Sequence, residues 1–313
     1  MERELVDWLS KRIPQHRTVS VGLVAVGLGD DAAVLRPTPG CETVVTTDML
    51  MDGVDFVMSE VEPQEIGRKA LAVNLSDLAA MAARPVAAFV SLALPRTLPL
   101  GFVQQMYEGM LQLAARFDVA LAGGDTNTWP GPLAISVTAI GEVDAGKAWL
   151  RSGAKPGDAL LVTGTLGGNI LGRHLHFEPR VAEAIAIAKQ YEVHAAMDIS
   201  DGLSLDLARM AHASGCGAEI DLASVPIALA AHDLSRQRDD GVSPLEHALS
   251  DGEDFELLLA MSPVEAARLL RDRPLGVWLT QIGRFVETLG LFAVDHHGHR
   301  APLVPRGYEH GSE

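Results

Sequence analysis

Aspartate recurs beside glycine, serine or threonine in six short segments of this chain. They are Gly29-Asp30-Asp31, Thr46-Thr47-Asp48, Ser76-Asp77, Gly124-Asp125-Thr126, Asp198-Ile199-Ser200-Asp201-Gly202 and Asp251-Gly252-Glu253-Asp254. Apart from Ser76-Asp77, which lies in a helical stretch, each reads as the end of a strand or as a loop. Carboxylates scattered in this way usually solvate a surface, but several here sit in apolar surroundings: Val-Asn-Leu-Ser-Asp-Leu-Ala-Ala-Met at 73–81 and Ala-Ala-Met-Asp-Ile-Ser-Asp at 195–201. A carboxylate removed from water is costly unless it is paired or bound to a metal. Converging carboxylates repel and raise each other's pKa unless a cation lies between them. The pattern predicts one pocket in which oxygen ligands hold several hard divalent ions. Mg²⁺ gathered in this way points to a polyphosphate substrate.

Strands alternating with helices are needed to deliver these groups. The sequence predicts a short opening helix over 3–13, a β-branched strand over 43–47 running into Asp48, and a helix over 64–82 that carries Asp77. A buried strand over 86–94 closes at Pro95, and Phe102, Met106, Met110, Leu113 and Phe117 define one face of a helix over 101–117. A strand over 119–122 then delivers Gly123-Gly124-Asp125, and another spans 133–140. The turn-rich stretch Arg151-Ser-Gly-Ala-Lys-Pro-Gly-Asp158 sets a domain boundary near 148. This predicts domains at 1–148 and 149–313. In the second, strands are expected at 159–163, up to Asp198, 217–221, 255–260 and 277–283, with a glycine loop at 164–168 followed by a helix. Further helices are expected at 180–191, 202–213 and 263–272. The fold class that follows is α+β, two domains each layered from helices and sheet.

Composition narrows the function. Lys plus Arg is 25 and Asp plus Glu is 41, a formal charge of −16 that argues against nucleic acid or an anionic membrane as partner. Two cysteines, Cys41 and Cys216, exclude a disulfide framework and zinc-type spacing. The charged start Met-Glu-Arg-Glu-Leu-Val-Asp-Trp has no signal-peptide core, and no apolar run is long enough to span a bilayer, so a cytoplasmic location is expected.

Two phosphate motifs almost fit. Gly141-Glu-Val-Asp-Ala-Gly-Lys147 follows the P-loop pattern until Ala148 stands where a hydroxyl must ligate Mg²⁺. Gly27-Leu-Gly29-Asp-Asp-Ala32 resembles a dinucleotide fingerprint, but two aspartates in the turn would repel a bare pyrophosphate. Gly164-Thr-Leu-Gly-Gly168 reads equally as an amide cradle or as a tight turn. His296, His297 and His299 look like a metal cluster, but beside Asp295 and Gly298 they read better as a solvated hairpin turn.

Taken in order, Gly29-Asp-Asp-Ala32, Thr46-Thr-Asp-Met-Leu50, Lys69-Ala-Leu-Ala-Val-Asn-Leu-Ser-Asp-Leu-Ala-Ala-Met81, Gly123-Gly-Asp-Thr126, Arg151 to Asp158, Asp198-Ile-Ser-Asp-Gly-Leu203, Ser214-Gly-Cys-Gly-Ala218 and Gly252-Glu-Asp-Phe-Glu-Leu257 resemble the thiamine-monophosphate kinases. These belong to the superfamily that includes aminoimidazole ribonucleotide synthetase. The resemblance runs from about residue 27 to residue 310. It implies ATP-dependent phosphorylation of thiamine monophosphate to thiamine diphosphate, and a homodimer joined through the N-terminal halves. By motif, Asp30, Thr46, Thr47, Asp48, Asp77, Asp125, Asp198 and Asp201 would bind Mg²⁺. Tyr107, Gly124, Asp125, Arg151 and Ser200 would contact ATP. Glu253 and the C-terminal aromatic Tyr308 would contact the thiamine moiety.

Three departures from the family wording stand out. Asp52-Gly-Val-Asp55-Phe replaces the usual Glu-Gly-Val-His-Phe, placing on the substrate side a carboxylate, Asp55, that could favour the cationic thiazolium or take a further metal. Asp251 stands for a glycine. The chain ends Gly307-Tyr-Glu-His-Gly-Ser-Glu without the Phe that commonly follows His. Each site residue also has a plain structural reading: Asp77 as a helix-packing carboxylate, Asp201 as an N-cap, Asp31 and Glu253 as turn residues, Arg151 as a surface arginine. The acceptor phosphate is largely dianionic near pH 7, given a second pKa of about 6. Direct in-line transfer without a general base or phospho-enzyme is therefore expected. The alternatives are another ATP-dependent enzyme of the superfamily, or a non-catalytic nucleotide- or metal-binding regulator on the same fold.

Overall fold

The computed structural model describes residues 2–15, 22–238, 240–274 and 276–309. The terminal stretch 310–313, on which the missing Phe bears, lies outside the described residues. The chain divides into two compact units, residues 1–78 with 83–147 and residues 79–82 with 148–313.

The first unit opens with α1 (Glu2–Arg12), then a small antiparallel ribbon of β1 (Val24–Val26) and β2 (Val34–Leu35). There follow β3 (Cys41–Met51), α2 (Pro63–Ala80), β4 (Arg84–Pro95), α3 (Leu100–Arg116), β5 (Ala120–Trp129) and β6 (Ala134–Asp144). The last four strands form one sheet in the order β3-β6-β4-β5, with β4 and β5 parallel and the other pairs antiparallel. Ile66, Ala70, Leu71, Leu75 and Leu78 of α2 are sealed from solvent, as are Val103, Met106, Met110 and Leu113 of α3. The two helices touch through glycines: a Cβ on Gly67 would lie 1.8 Å from the Met106 carbonyl oxygen, and one on Gly109 1.9 Å from that of Gln64.

Two strands are longer than their apolar runs. β3 pairs with β6 in unbroken register from Cys41↔Asp144 to Met51↔Ala134, so Asp48 lies inside the strand and not at its end. β3 has β6 as its one partner in the sheet, and an edge strand tolerates polar residues because one flank and one face meet water. The period-2 alternation turns Val44, Thr46, Asp48 and Leu50 inward, while Val45, Thr47, Met49 and Met51 face out. β5 likewise continues through Asp125 to Trp129, because it keeps pairing with β4 as far as Pro95.

The second unit runs β7 (Ala159–Thr163), a 3₁₀ turn at 169–171, α4 (Arg173–His176), α5 (Val181–Ala188), β8 (Ala195–Asp198), α6 (Leu203–Ser214) and β9 (Gly217–Asp221). It continues with α7 (Leu229–Arg238), α8 (Pro244–Ser250), β10 (Leu257–Met261), α9 (Pro263–Asp272), β11 (Leu279–Val286), β12 (Leu291–Val294) and β13 (Arg300–Pro302). Its sheet has the order β13-β12-β9-β11-β7-β10-β8, antiparallel throughout except for the β12–β9 pair. β7 and β10 inside the sheet, and β8 at its end, are buried along their full length. Leu160, Val162, Met197, Leu207, Met210 and Phe285 form the core beneath them.

Three local expectations change. The glycine loop leads to a single 3₁₀ turn and the four-residue α4, not to an extended helix. β10 starts at Leu257 and not at 255, because Glu253 and Phe255 hold left-handed backbone angles, φ +54° and +50°. α6 begins at Leu203 behind Gly202, and no side chain caps it. The His296–His299 stretch is a hairpin turn, tied by Asp295 Oδ1 accepting the N–H groups of His297 and His299 at 2.8 and 2.9 Å.

Candidate active site

The inward face of β3 brings Thr46 and Asp48 against α2. Thr46 Oγ1 donates to Asp77 Oδ2. Asp48 has one carboxylate oxygen, Oδ2, sequestered without a hydrogen-bond partner. Burial, then the charges of Asp77 and Asp55, push its carboxyl up to about 7. Thr47 alternates to the opposite face, where it donates to the Val137 carbonyl at 3.2 Å and meets Thr138 Oγ1 at 3.1 Å. The structure therefore separates Thr47 from the other two residues of its motif. Asp55 lies in the turn after β3, with Oδ2 accepting the Met51 N–H at 2.7 Å. The buried Lys69 of α2 donates to the Asp55 carbonyl at 2.7 Å and so anchors that turn.

Gly124 and Asp125 lie exposed on β5. Glycine is required at 124 because a Cβ would sit 1.9 Å from the Val90 carbonyl oxygen of β4. Tyr107 of α3 is buried, and burial raises its phenol pKa so that it stays neutral. It shares a cavity of about 70 Å³ with Gly123, Gly124, Asp125 and Thr126, covered by Leu5 and Leu9 of α1. Asp30 and Asp31 are exposed on the loop between β1 and β2, where Asp30 Oδ1 accepts the Asp31 N–H at 2.9 Å.

In the second unit Asp198 closes β8, 3% exposed. Ser200 and Asp201 follow in a loop held by Asp206, whose Oδ2 accepts their N–H groups at 3.0 and 2.9 Å. Asp206 Oδ1 accepts from Arg209 at 3.0 Å, and Arg209 also bonds the Asp201 carboxylate. Burial lifts the Asp206 carboxyl to about 6 against the pull of those donors. Asp201 is thus paired with Arg209 and is not the cap of α6. The Glu253 N–H donates to the Ser200 carbonyl at 2.6 Å, and its carboxylate lies 3.2 Å from Nδ1 of the buried His174. Tyr308, its side chain exposed, donates its N–H to the Asp201 carbonyl at 2.9 Å. Arg151 is exposed just past the boundary, its carbonyl accepting from Ser214 at 3.3 Å.

The glycine loop is a turn and not an open cradle. The Gly167 N–H donates to Asp254 at 2.7 Å and the Gly168 N–H to Asp251 at 2.9 Å. Asp254 is buried, and desolvation pushes its carboxyl up to about 8 against the Gly167 and Asn169 donors. Glu256 is saturated by Thr163 at 2.7 Å, Arg173 at 2.5 Å and Arg180 at 2.6 Å. These two carboxylates lock loops together. His174, Asp206 and Arg209 escape motif reading, and Lys69 lies in the 69–81 motif without its role being legible there. Asp206 was visible only as an acid in the first turn of a helix that follows two candidate ligands.

Oxygen donors of this kind suit a hard divalent ion. Asp48 offers an unsatisfied, sequestered carboxylate oxygen, with Asp77 adjoining it through Thr46. Among the described residues no three His, Cys, Asp or Glu side chains are grouped to hold a metal by themselves. Mg²⁺ typically takes one or two carboxylates and completes its shell with water and phosphate oxygens, so the residues present fit it.

Models of the AIR synthase related protein family match both halves, its N-terminal domain over 29–143 and its C-terminal domain over 155–295. The thiamine-monophosphate kinase of Rhodopirellula baltica is 46% identical over 99% of this chain and 98% of its own. The crystal structure of thiamine-monophosphate kinase from Stenotrophomonas maltophilia K279a superposes with a TM-score of 0.80 at 35% identity, covering 94% of this chain and 96% of that one. AaThiL complexed with AMPPCP and TMP gives a TM-score of 0.76 at 29% identity, covering 88% and 89%. The chain belongs to the thiamine-monophosphate kinase family, and it is a kinase.

Proposed function

We propose that this kinase transfers the γ-phosphoryl group of ATP directly to thiamine monophosphate, giving thiamine diphosphate, in a reaction that needs Mg²⁺. The observation that carries this reading is the unsatisfied Asp48 carboxylate beside Asp77, on a fold similar to a protein complexed with AMPPCP and TMP. When bound, Mg²⁺ supplies neutralisation of phosphate charge and alignment for in-line attack. Asp48, Asp77 and the Thr46 hydroxyl would hold it in the first unit. Asp30, Asp125, Asp198 and Asp201 are further candidates, and Thr47 is the weakest because it faces away. Tyr107, Gly124, Asp125, Arg151 and Ser200 are assigned to the nucleotide.

The Glu253 carboxylate supplies a counter-charge for the thiazolium, and Tyr308 an exposed ring to pack on it. Asp55 spends one oxygen on the Met51 N–H, so we assign it an electrostatic role through Asp48 and no donor role toward phosphate. The acceptor, largely dianionic above its second pKa of about 6, needs no general base.

The β3 edge supports a homodimer through the first unit: Val45 and Met49 are 59% and 60% exposed on its outward face. No helix among the described residues is long and apolar enough to cross a membrane. We place the enzyme in the cytoplasm, where ATP is made.

ADP release tests the reading. Thiamine monophosphate should stimulate it, Mg²⁺ removal should abolish it, and unphosphorylated thiamine should be a poor substrate. Thiamine turned over as fast as its monophosphate would overturn it.

A further inference from the structure

Four backbone hydrogen bonds meet on two adjacent residues. The N–H groups of Ser200 and Asp201 both donate to Asp206 Oδ2, at 3.0 and 2.9 Å. The carbonyl of Ser200 accepts the Glu253 N–H at 2.6 Å, and that of Asp201 accepts the Tyr308 N–H at 2.9 Å. Neither residue has a backbone polar group left over. Both lie outside regular structure, between β8 and α6, where a helix or sheet ladder would ordinarily satisfy such groups. One buried carboxylate does that work on the N–H side. Asp206 is 0% exposed, and α6 is cemented into the core by Leu203, Leu207 and Met210.

The approach of the other segments is equally fixed. A Cβ on Gly252 would lie 2.7 Å from the Ser200 carbonyl oxygen, and one on Gly307 2.2 Å from that of Asp201. Ser204, in the first turn of α6, accepts the Arg306 N–H at 2.9 Å and donates back to the Arg306 carbonyl at 2.8 Å. The segments that carry Glu253 and Tyr308 thus share one point of attachment, the 200–201 carbonyls, whose N–H sides Asp206 holds; the Phe255 N–H on the Ile199 carbonyl at 2.8 Å and the Arg306–Ser204 pair flank it.

We propose that Asp206 is a positioning residue that registers the nucleotide-side Ser200 and the metal-side Asp201 to the acceptor-side groups Glu253 and Tyr308, through a shared backbone hub. The proposal rests on the assignments given above, of Ser200 to ATP, Asp201 to Mg²⁺, and Glu253 and Tyr308 to thiamine monophosphate. Asp206 itself touches neither substrate. Phosphoryl transfer depends on placement within tenths of an ångström, so a hub shared by both binding sides fixes the donor–acceptor distance.

Amide hydrogen exchange tests the hub without any need for turnover. In the wild type the N–H groups of Ser200, Asp201, Glu253 and Tyr308 should be protected. Asp206→Ala should speed exchange about tenfold at all four, including the two that Asp206 does not touch. Asp206→Asn keeps an accepting oxygen and should recover most of the protection. Leu207→Ala, a core truncation on the same helix, should lower Tm without selecting these amides. Acceleration confined to Ser200 and Asp201 would overturn the proposal, as would no acceleration. If the alanine variant does not fold, the same two patterns in Asp206→Asn decide the question. In steady-state assays Asp206→Ala should raise KM for ATP and for thiamine monophosphate together, with Asn restoring both. A rise in only one, or in neither, would also refute the hub. A wild type inactive on thiamine monophosphate would refute the substrate assignment and leave the exchange result to judge the hub.

Discussion

Asp48 is a carboxylate placed where, without a cation, it is uncomfortable. Its pKa is raised to about 7 by burial, Asp77 and Asp55. The folded protein therefore holds a proton that the unfolded chain releases near pH 4, and empty-protein stability should fall as pH rises from about 4 to about 7. Asp48→Asn removes this contribution. The variant should be as stable as wild type or more so at pH 7 without metal, should flatten that part of the pH–stability curve, and should lose most activity. Urea melts across that range, with and without Mg²⁺, check this. A variant less stable than wild type at pH 7 would mean that Asp48 is structural. Asp55→His exchanges an acceptor for the Met51 N–H against the residue usual in the family. It should cost about 1 kcal/mol of stability and retain activity, measured by urea denaturation beside Michaelis constants. The ligand-type residues were legible because aspartate in an apolar run is rare enough to mean something. Their supports were not: Asp206, Arg209, His174 and Lys69 act across five to about eighty residues, on partners that only folding selects.

At the scale of elements, α2 and α3 carry Asp77 and Tyr107, and their separation is set by Gly67 and Gly109. Gly67→Ala would drive a methyl to 1.8 Å from a carbonyl oxygen of the partner helix. We expect a loss of about 2–3 kcal/mol together with weakened Mg²⁺ binding. Gly101→Ala, on α3 where a Cβ meets nothing within 4 Å, should instead gain about 0.5 kcal/mol. Paired thermal melts of the two variants give opposite signs if packing decides, and the same sign if it does not. The major elements were legible from periodicity and from apolar runs, because a buried face imposes its period. The misses have physical causes. β3 outruns its β-branched core because an edge strand accepts Asp48 in mid-ladder. α7 is polar and buries only Ala231 and Leu234, and α8 is seven residues long, too short for its apolar Leu245, Ala248 and Leu249 to show a period. The Ser243–Glu246 capping box of α8, with Pro244 behind it, was nonetheless present in the sequence as a start signal. The left-handed angles at Glu253 and Phe255 cannot be read from residue type at all.

For the whole molecule, the outward face of β3 sets three exposed apolar side chains along one strand. An eleven-residue edge strand with Val45, Met49 and Met51 exposed invites pairing with a second copy. The wild type should sediment as a dimer, and Val45→Glu should yield a monomer whose isolated melting behaviour is close to wild type. A wild type monomeric at tens of micromolar protein would rule out this interface. The −16 charge opposes self-association at low ionic strength, so dimerisation should strengthen with moderate salt.

The division into two compact units, each with its own sheet and buried core, bears on how the protein comes apart. Cooperativity is a property of a core, and two cores need not share one transition. A calorimetric scan of the metal-free protein should resolve two endotherms, the lower belonging to the first unit (residues 1–78 with 83–147), whose Asp48 group repels itself when empty. Mg²⁺ alone should move that endotherm upward by mass action and leave the other in place. A single symmetrical peak, with equal calorimetric and van't Hoff enthalpies, would show one cooperative block. In the two-peak case no single melting temperature describes the chain. A stabilising substitution will then register only if it lies in the unit that fails first, and the same change placed in residues 148–313 will pass unseen in a screen that reads only the onset of unfolding.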